Sequence, residues 1–221
     1  MVRSVLAVTM VLAALGSAQA QESPKETYKI GLVAPLTGPF TSTGKQVTAG
    51  AQFYLQQNGN TVAGKRIEPI IRDDAGIADQ TRRLVQELIV NDKVNAIAGF
   101  GLTPLALAAA PLTTQSKTPM IVMAAATSIV TERSPYIVRT SFAQAQPVVV
   151  IADWQARHGM KKVVSMVSDF APGYDSETFF KDSFTRAGGQ VVEALRIPLQ
   201  NPDFAPFLQR ARDATPDGLF V

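Results

Sequence analysis

The chain has 221 residues, of which 46% are hydrophobic, and it contains no cysteine. Its 21 Lys and Arg residues barely exceed its 18 Asp and Glu residues, and basic pairs such as Arg82-Arg83 are isolated rather than gathered into a patch. This distribution excludes the basic surface that nucleic-acid-binding proteins present. Without cysteine, the fold is expected to depend on an apolar core rather than on disulfides.

Residues 1–20 have the pattern of a cleavable secretory signal peptide. Arg3 provides the positive start, residues 5–15 are apolar, and Ala18-Gln19-Ala20 is a small-x-small cleavage site. The apolar stretch is too short to span a bilayer, which disfavours the alternative of a membrane anchor. We predict export to the periplasm, with the mature chain beginning at Gln21.

Strand and helix patterns alternate along the rest of the chain, which is typical of an α/β fold with a mostly parallel sheet. The first set contains predicted strands over residues 28–35, 67–71, 94–100, 119–123 and 137–140, and predicted helices over 44–58, 77–91 and 104–116. The second set contains predicted helices over 147–158, 174–187 and 203–214, and predicted strands over 162–167, 191–197 and from 219 onward. Helical periodicity predicts an apolar stripe on the first helix and another on the last. The first consists of Val47, Ala51, Tyr54 and Leu55, and the last of Phe204, Phe207, Leu208 and Ala211.

The two sets predict two doubly wound, mostly parallel-sheet lobes. Residues 27–143 form the predicted N-terminal lobe, and residues 144–221 form the start of a second lobe. The chain stops on an apolar run, residues 218–221, directly after a predicted turn. This stop predicts a truncated second lobe, poorly soluble or partly disordered after about residue 145. A ligand cleft is expected between the lobes, at the carboxyl ends of the strands.

The sequence lacks the usual catalytic motifs. Residues 38–45 resemble a phosphate-binding loop, but the glycines are one residue too far apart and Gln46 replaces the Mg-binding hydroxyl. The single His158, without any cysteine, is not enough for a usual zinc site. Asp73 and Asp74 are adjacent on a predicted strand and point to opposite faces, so a turn or capping role is favoured over acid–base catalysis. We predict no catalytic residues, no cofactor and no metal.

Three loops at the ends of predicted strands carry hydroxyl groups and backbone amides, namely residues 36–43, 99–104 and 124–128. Thr103 precedes Pro104, a pair that predicts the N-cap and first residue of a helix. A helix N-terminus with a Thr hydroxyl binds a carboxylate well, and Ala125 and Thr127 offer further donors from the neighbouring strand end. The alternative is that both threonines are ordinary structural caps.

Five segments carry a family resemblance, in the right order. They are KIGLVAPLTGP over residues 29–39, AAATS over 124–128, SPYIVRT over 134–140, DFAPGY over 169–174, and residues 203–217. Through these segments the chain resembles the periplasmic leucine/isoleucine/valine-binding proteins of ABC transporters. The resemblance spans residues 28–221. It implies the type I periplasmic binding fold, in which two lobes close on a small ligand with an α-carboxylate and often an α-ammonium.

The resemblance also implies roles for individual residues. Thr103 matches the hydroxyl that holds the ligand carboxylate, Ala125 offers a backbone group, and Thr127 offers a hydroxyl and an amide. Tyr174 matches an aromatic residue of the second lobe that covers the ligand. Thr43 falls where several relatives carry an aromatic wall, and this departure speaks against a strictly leucine-like specificity.

The function implied by the resemblance is that of an extracytoplasmic solute-binding protein, not an enzyme. Its ligand would be a branched-chain or other amino acid, or a related organic acid, delivered to the permease subunits of an ABC importer. The protein is expected to act as a monomer, without nucleic acid as a partner. Any acid for an α-ammonium would lie beyond Val221, so carboxylate capture is the better-supported part. A periplasmic sensor on the same fold is the alternative, and an enzyme is a weaker one.

Overall fold

A computed structural model of the protein describes residues 26–221. The predicted signal peptide, residues 1–20, lies outside the described residues. Within the described range, no helix is both long enough and apolar enough to cross a membrane. The chain folds into two separate sheets flanked by helices.

The first sheet has six strands. Its elements, in chain order, are β1 (Thr27–Ala34), α1 (Thr41–Asn58), β2 (Thr61–Val62), β3 (Lys65–Asp73), α2 (Ala78–Val90), β4 (Ala96–Gly99), α3 (Thr103–Gln115), β5 (Met120–Val122), a short 3-10 helix (Ser128–Arg133) and β6 (Ile137–Arg139). The strand order is β2-β3-β1-β4-β5-β6, and every pair is parallel except β2 with β3. Because the chain moves outward from β1 in both directions, a topological switch point lies between β1 and β4.

The core of the first lobe is built on the central strands. All four residues of β4 and the last four of β1 are buried. Continuous burial of this kind is typical of parallel strands whose two faces are both covered. Val33, Ile97 and Met120 from the strands pack with Leu88 from α2 and Leu105 from α3. This packing fixes the carboxyl ends of β1, β4 and β5 beside one another.

The second sheet has three parallel strands in the order β8-β7-β9. Its elements are α4 (Ala145–Arg157), β7 (Lys162–Ser168), α5 (Ala171–Arg186), β8 (Gln190–Ile197), α6 (Ala205–Asp213) and β9 (Gly218–Phe220). The stacked rings of Phe180 and Phe220, with centroids 4.1 Å apart, join α5 to β9. On the other face, α6 packs Phe207 and Ala211 against the core as predicted, whereas Phe204 and Leu208 of the same predicted stripe are about half exposed.

The prediction of an α/β fold with mostly parallel sheets is confirmed, with shifted boundaries. α1 begins at Thr41 rather than at residue 44, and α5 begins at Ala171 rather than at residue 174. Strand β2 was not predicted. It has only two residues, and it pairs with β3 through a turn at Ala63 and Gly64, both of which have positive φ angles, 49° and 78°.

Of the stripe predicted to face inward on α1, Val47, Ala51 and Leu55 are partly buried, whereas Tyr54 is 59% exposed. Close packing at the start of the helix sets its rotation: a Cβ added to Gly44 would lie 2.1 Å from the carbonyl oxygen of Pro35. This contact turns Gly44 and Thr48 toward the sheet. The buried Thr48 hydroxyl is satisfied by donating to the carbonyl of Gly44 at 2.8 Å. The glycine contact therefore fixes the start of the helix, and the partly buried apolar residues follow on the same side.

Candidate ligand-binding site

The loops that follow β1 and β4 meet at the switch point of the first sheet. A Cβ added to Gly101 would lie 2.8 Å from the ring of Pro35 and 3.6 Å from Cγ2 of Thr43. Thr43 therefore lies beside the loop after β4, in the same part of the first lobe as the other predicted residues of that lobe. Open α/β sheets bind their ligands at this position.

The turn after β4 has an unusual backbone. Gly99 has a φ angle of 115°, and a Cβ there would lie 2.1 Å from the carbonyl oxygen of Val33. Phe100, which is fully buried, has a φ angle of 65°, a conformation that costs a non-glycine residue about 1–3 kcal/mol. Its amide donates to Val33 at 2.9 Å and its carbonyl accepts from Ala125 at 3.0 Å. These bonds hold the loop after β4 against the loop after β5.

Thr103 and Thr127 are brought together by the fold. Their hydroxyl oxygens are 2.6 Å apart, and the residues are only 0% and 3% exposed. Thr103 is the first residue of α3, and Leu102 is the N-cap, so the predicted N-cap role of Thr103 is wrong. The physical reason is that its hydroxyl turns inward to Thr127 instead of closing the helix end. One of the two hydroxyl protons is used between them, and the other remains available.

Several backbone amides around this threonine pair have no acceptor. Among residues 26–221, no hydrogen-bond partner is found for the amides of Gly101, Leu102, Thr103, Ala126 and Thr127. Four of these five residues are buried. Amides that are removed from water and have no protein partner are rare in native proteins, because each one loses the hydrogen bond that it would make to water. The two loops thus form a cluster of donors that lacks an acceptor.

Ala125 lies in the same loop, but its amide is already used in the bond to the carbonyl of Phe100. The expectation that Ala125 supplies a backbone donor is therefore wrong, because this amide joins the two loops. The neighbouring amides of Ala126 and Thr127 have no partner within residues 26–221 and are the free donors of this loop.

Arg139 is a further residue of this region that the sequence did not single out. It ends β6, and its Nη2 donates to the carbonyl of Thr127 at 2.5 Å. Its Nε is buried and has no partner among the described residues. Burial lowers the pKa of Arg139, and the charge of Asp175 opposes that shift. Even so, an arginine stays protonated in proteins, so a positive charge lies directly behind the Thr127 loop.

The two lobes are bridged one residue beyond Thr127. The amide and the hydroxyl of Ser128 both donate to Oδ2 of Asp175 in α5, each at 2.8 Å. A second bridge joins Nε2 of Gln144 to the hydroxyl of Ser176 at 2.7 Å. These residues are 47 and 32 positions apart in the chain. No local pattern marks them, and only the packed structure could reveal the contacts.

Tyr174, which precedes Asp175, borders the cleft from the second lobe. Its side chain is 39% exposed, and its hydroxyl donates to Oδ1 of Asp169 at 2.7 Å. This hydrogen bond raises the pKa of Tyr174. The guanidinium of Arg196 lies 4.5 Å from the ring centroid, a cation–π distance, and is held there by a bidentate pair with Glu177 at 3.0 and 3.1 Å. The ring is therefore fixed in orientation.

The Asp73-Asp74 pair has the turn role expected for it. Asp73 accepts hydrogen bonds from the amides of Leu36, Thr37 and Ala75 and from the Thr37 hydroxyl. Burial alone would raise the pKa of Asp73, but these four bonds together hold it below its usual value. In contrast, burial raises the pKa of Asp74. The two carboxyl groups anchor the loop after β1 and do not form a catalytic pair.

A separate concavity of about 860 Å³ lies within the second lobe, along α4, the end of β7 and residues 197–204. Most of its lining is apolar, including Ile151, Phe170 and Phe204, and none of the five predicted site residues borders it. In the described part of the chain, no group of three or more His, Cys, Asp or Glu residues is placed to hold a metal. The donor cluster of the first lobe is the better candidate for a carboxylate site.

Comparison with known proteins decides the family. A family model described as periplasmic binding protein matches residues 27–221. The chain belongs to the periplasmic binding protein family. A relative in this family, Leu/Ile/Val-binding protein homolog 6 of Brucella abortus (strain 2308), is 42% identical over 216 residues, which are 97% of this chain and 55% of the relative.

Two solved periplasmic binding proteins are also similar over most of the chain. One is the solute-binding protein of an ABC transporter from Rhodopseudomonas palustris BisB5, in complex with 3,4-dihydroxybenzoic acid. It is 62% identical, with a TM-score of 0.85, and the match covers 88% of this chain and 54% of that protein. The other is a solute-binding protein from R. palustris in complex with 4-hydroxybenzoate. It is 44% identical, with a TM-score of 0.85, and the match covers 88% of this chain and 53% of that protein.

These comparisons confirm the predicted family and its type I fold. The relatives and neighbours are solute-binding proteins rather than enzymes, in agreement with the predicted non-enzymatic role. The family is periplasmic, which fits the predicted location. This periplasmic binding protein chain spans about half the length of the relatives it matches.

Proposed function

We propose that the protein captures a small aromatic carboxylic acid in the periplasm and delivers it to the permease of an ABC importer. The observation that carries this proposal is the donor cluster around Thr127, where the amides of mostly buried residues have no acceptor within residues 26–221. A carboxylate offers two oxygens that each accept several hydrogen bonds, so one ligand group supplies the missing acceptors. The N-terminus of α3 adds the favourable end of a helix dipole.

The two threonines play different parts in this proposal. Thr103 is fully buried and its hydroxyl lies 2.6 Å from that of Thr127, so either hydroxyl can donate; in this proposal Thr103 is the donor and supports the site from behind. The Thr127 hydroxyl is then left with its own proton directed to the ligand, and the bond from Thr103 strengthens that donor through polarisation. This division differs from the sequence-based expectation that both hydroxyls contact the carboxylate.

Charge supports an anionic ligand. Arg139 lies behind the loop with its guanidinium on the carbonyl of Thr127. An attraction between unit charges is several times stronger in such a buried setting than in water. A neutral ligand would gain only a weaker charge–dipole attraction from this cation than a carboxylate does, although Asp175 shares part of the arginine's charge.

An aromatic ligand is favoured over a branched aliphatic one by two observations. Tyr174 presents a partly exposed ring that is fixed by Asp169 and Arg196, and aromatic rings pack well on such a face. The two solved relatives at 62% and 44% identity were obtained with hydroxylated benzoic acids.

The test uses protein expressed from the complete gene, unfolded and refolded to remove any ligand carried through purification. Calorimetric titrations with 3,4-dihydroxybenzoate, 4-hydroxybenzoate, leucine and the neutral isostere 4-hydroxybenzamide compare the ligand classes. We expect the acids to bind and the amide to bind about ten- to a hundredfold more weakly, since it lacks the charged acceptor. Tight binding of leucine with no binding of either acid would contradict the proposal. Light scattering of the same protein tests the expected monomer.

A further inference from the structure

The second lobe carries one acceptor in the cleft that no protein group uses fully. Asp169 directly follows β7 and is exposed, and its Oδ1 accepts the proton of the Tyr174 hydroxyl at 2.7 Å. Its other oxygen, Oδ2, has no hydrogen-bond partner within residues 26–221. An ionised carboxylate accepts about four hydrogen bonds, so Asp169 retains most of its capacity.

A short series of contacts connects this acceptor with the donor cluster of the first lobe. Thr127 is followed by Ser128, whose hydroxyl and amide both lie 2.8 Å from Asp175. Asp175 is preceded by Tyr174, whose hydroxyl contacts Asp169. The donor cluster and the free carboxylate oxygen thus lie on either side of the Ser128–Asp175 bridge, one in the first lobe and the other in the second, and we call these two surfaces the walls of the site.

We propose that Asp169 recognises a hydroxyl group on the ring of the ligand, by accepting its proton on Oδ2. The proposal rests on the function proposed above and specifies its ligand: an aromatic acid with a hydroxyl at the end opposite the carboxylate. The two walls have opposite hydrogen-bonding character, donors in the first lobe and an acceptor in the second. The ligand carboxylate is repelled by Asp169 and attracted by the first lobe, so only one orientation satisfies both ends.

An α-ammonium is the other ligand group that a free carboxylate accepts. Arg196 lies over the Tyr174 ring at 4.5 Å, but Glu177 pairs with that arginine, so charge alone does not separate the two ligand groups. The hydroxylated benzoic acids bound by the two solved relatives favour the hydroxyl. A phenolic hydroxyl donates a hydrogen bond to Asp169 without adding charge.

The first test needs no variant. Calorimetry of protein from the complete gene compares 4-hydroxybenzoate with 4-fluorobenzoate, which has nearly the same shape but no proton to donate, and with benzoate. We expect 4-hydroxybenzoate to bind about ten- to a hundredfold more tightly than either, since a hydrogen bond to a charged group is made only by the phenol. Equal affinities for the hydroxylated and fluorinated acids would overturn the role of Asp169.

The second test assigns the preference to its residue. In Asp169→Ala the ratio of 4-hydroxybenzoate to 4-fluorobenzoate affinity should fall to about one, and in the matched control Tyr174→Phe it should persist, because Asp169 remains. A ratio that survives in Asp169→Ala, or disappears in Tyr174→Phe, would refute the assignment. Failure of the proposed function has a different appearance: the wild-type protein would bind none of these acids.

Discussion

The hydrogen bond between Thr103 and Thr127 allows binding and stability to be separated by a double-mutant cycle. Thr127→Val keeps the shape of the side chain and removes its hydroxyl. The Thr103 hydroxyl, 0% exposed, then has no partner, which costs about 1–3 kcal/mol of unfolding free energy. The ligand carboxylate also loses a donor, and its affinity should fall about ten- to a hundredfold.

Thr103→Val gives a different pattern. The unfolding free energy should again fall by about 1–3 kcal/mol, because the buried Thr127 hydroxyl loses its internal partner. The affinity should change much less than in Thr127→Val, since Thr127 keeps the proton that it directs to the ligand. In the double variant, both partners are apolar, so stability should return to within about 1 kcal/mol of the wild type, while the affinity stays low.

Two measurements complete the cycle. Urea denaturation of the ligand-free proteins gives the unfolding free energies, because bound ligand would add its own stabilisation. Calorimetry with 3,4-dihydroxybenzoate gives the affinities. If all three variants bind as tightly as the wild type while only the single variants lose stability, the threonines are structural and the proposed carboxylate site is wrong.

Three further changes test the framework of the site. Asp175→Asn weakens the charged acceptor between the lobes, so we expect a larger radius of gyration by small-angle scattering without ligand and about three- to tenfold weaker binding; an unchanged radius would contradict the bridge. The pKa of Asp73 is lower in the folded protein than its value of about 3.9 in the unfolded chain, so the ionised carboxylate stabilises the fold at pH values above the unfolded pKa. This stabilisation is lost as the pH falls through the lower folded-state pKa. The stability difference between the wild type and Asp73→Asn, measured by urea denaturation, should therefore be present at pH 7 and vanish in strong acid, and a constant difference would argue against it. Gly44→Ala places a Cβ 2.1 Å from a backbone carbonyl and should lower the melting temperature, whereas Gly50→Ala in the same helix meets no atom within 4 Å and should raise it; equal shifts would refute the packing argument.

The fold class could be predicted from the sequence because it depends on the spacing of apolar residues along each strand and helix. Continuous apolar runs such as β4 and the alternation of strand with helix predict a parallel sheet, regardless of the conformation of the loops. The loops that carry Thr103 and Thr127 were also predicted, since they follow strands. The sequence did not predict the left-handed backbone of Phe100 or the contact of Gly44 with Pro35, because no local pattern encodes either one.

The residues missed by sequence reasoning share one property, which is that their partners are distant in the chain. Asp175 is 47 residues from Ser128, and its neighbours in α5 are ordinary helix residues. In the sequence, Arg139 is only a charged residue at the end of a short strand. Its contact with the carbonyl of Thr127 is visible only in the structure. A pairing of this kind is determined by the packing of the two lobes, so it becomes visible only in three dimensions.

These missed residues show how the proposed site would hold two anions on one short loop. The Ser128 end of the loop binds the carboxylate of Asp175, and the free amides of Ala126 and Thr127 remain for the carboxylate of a ligand. Two negative charges on neighbouring residues would repel each other without a cation nearby. Arg139 supplies that cation: it contacts the loop through the Thr127 carbonyl and interacts with the charge of Asp175. The arginine therefore couples the bridge between the lobes to the ligand site, because both anions share its charge.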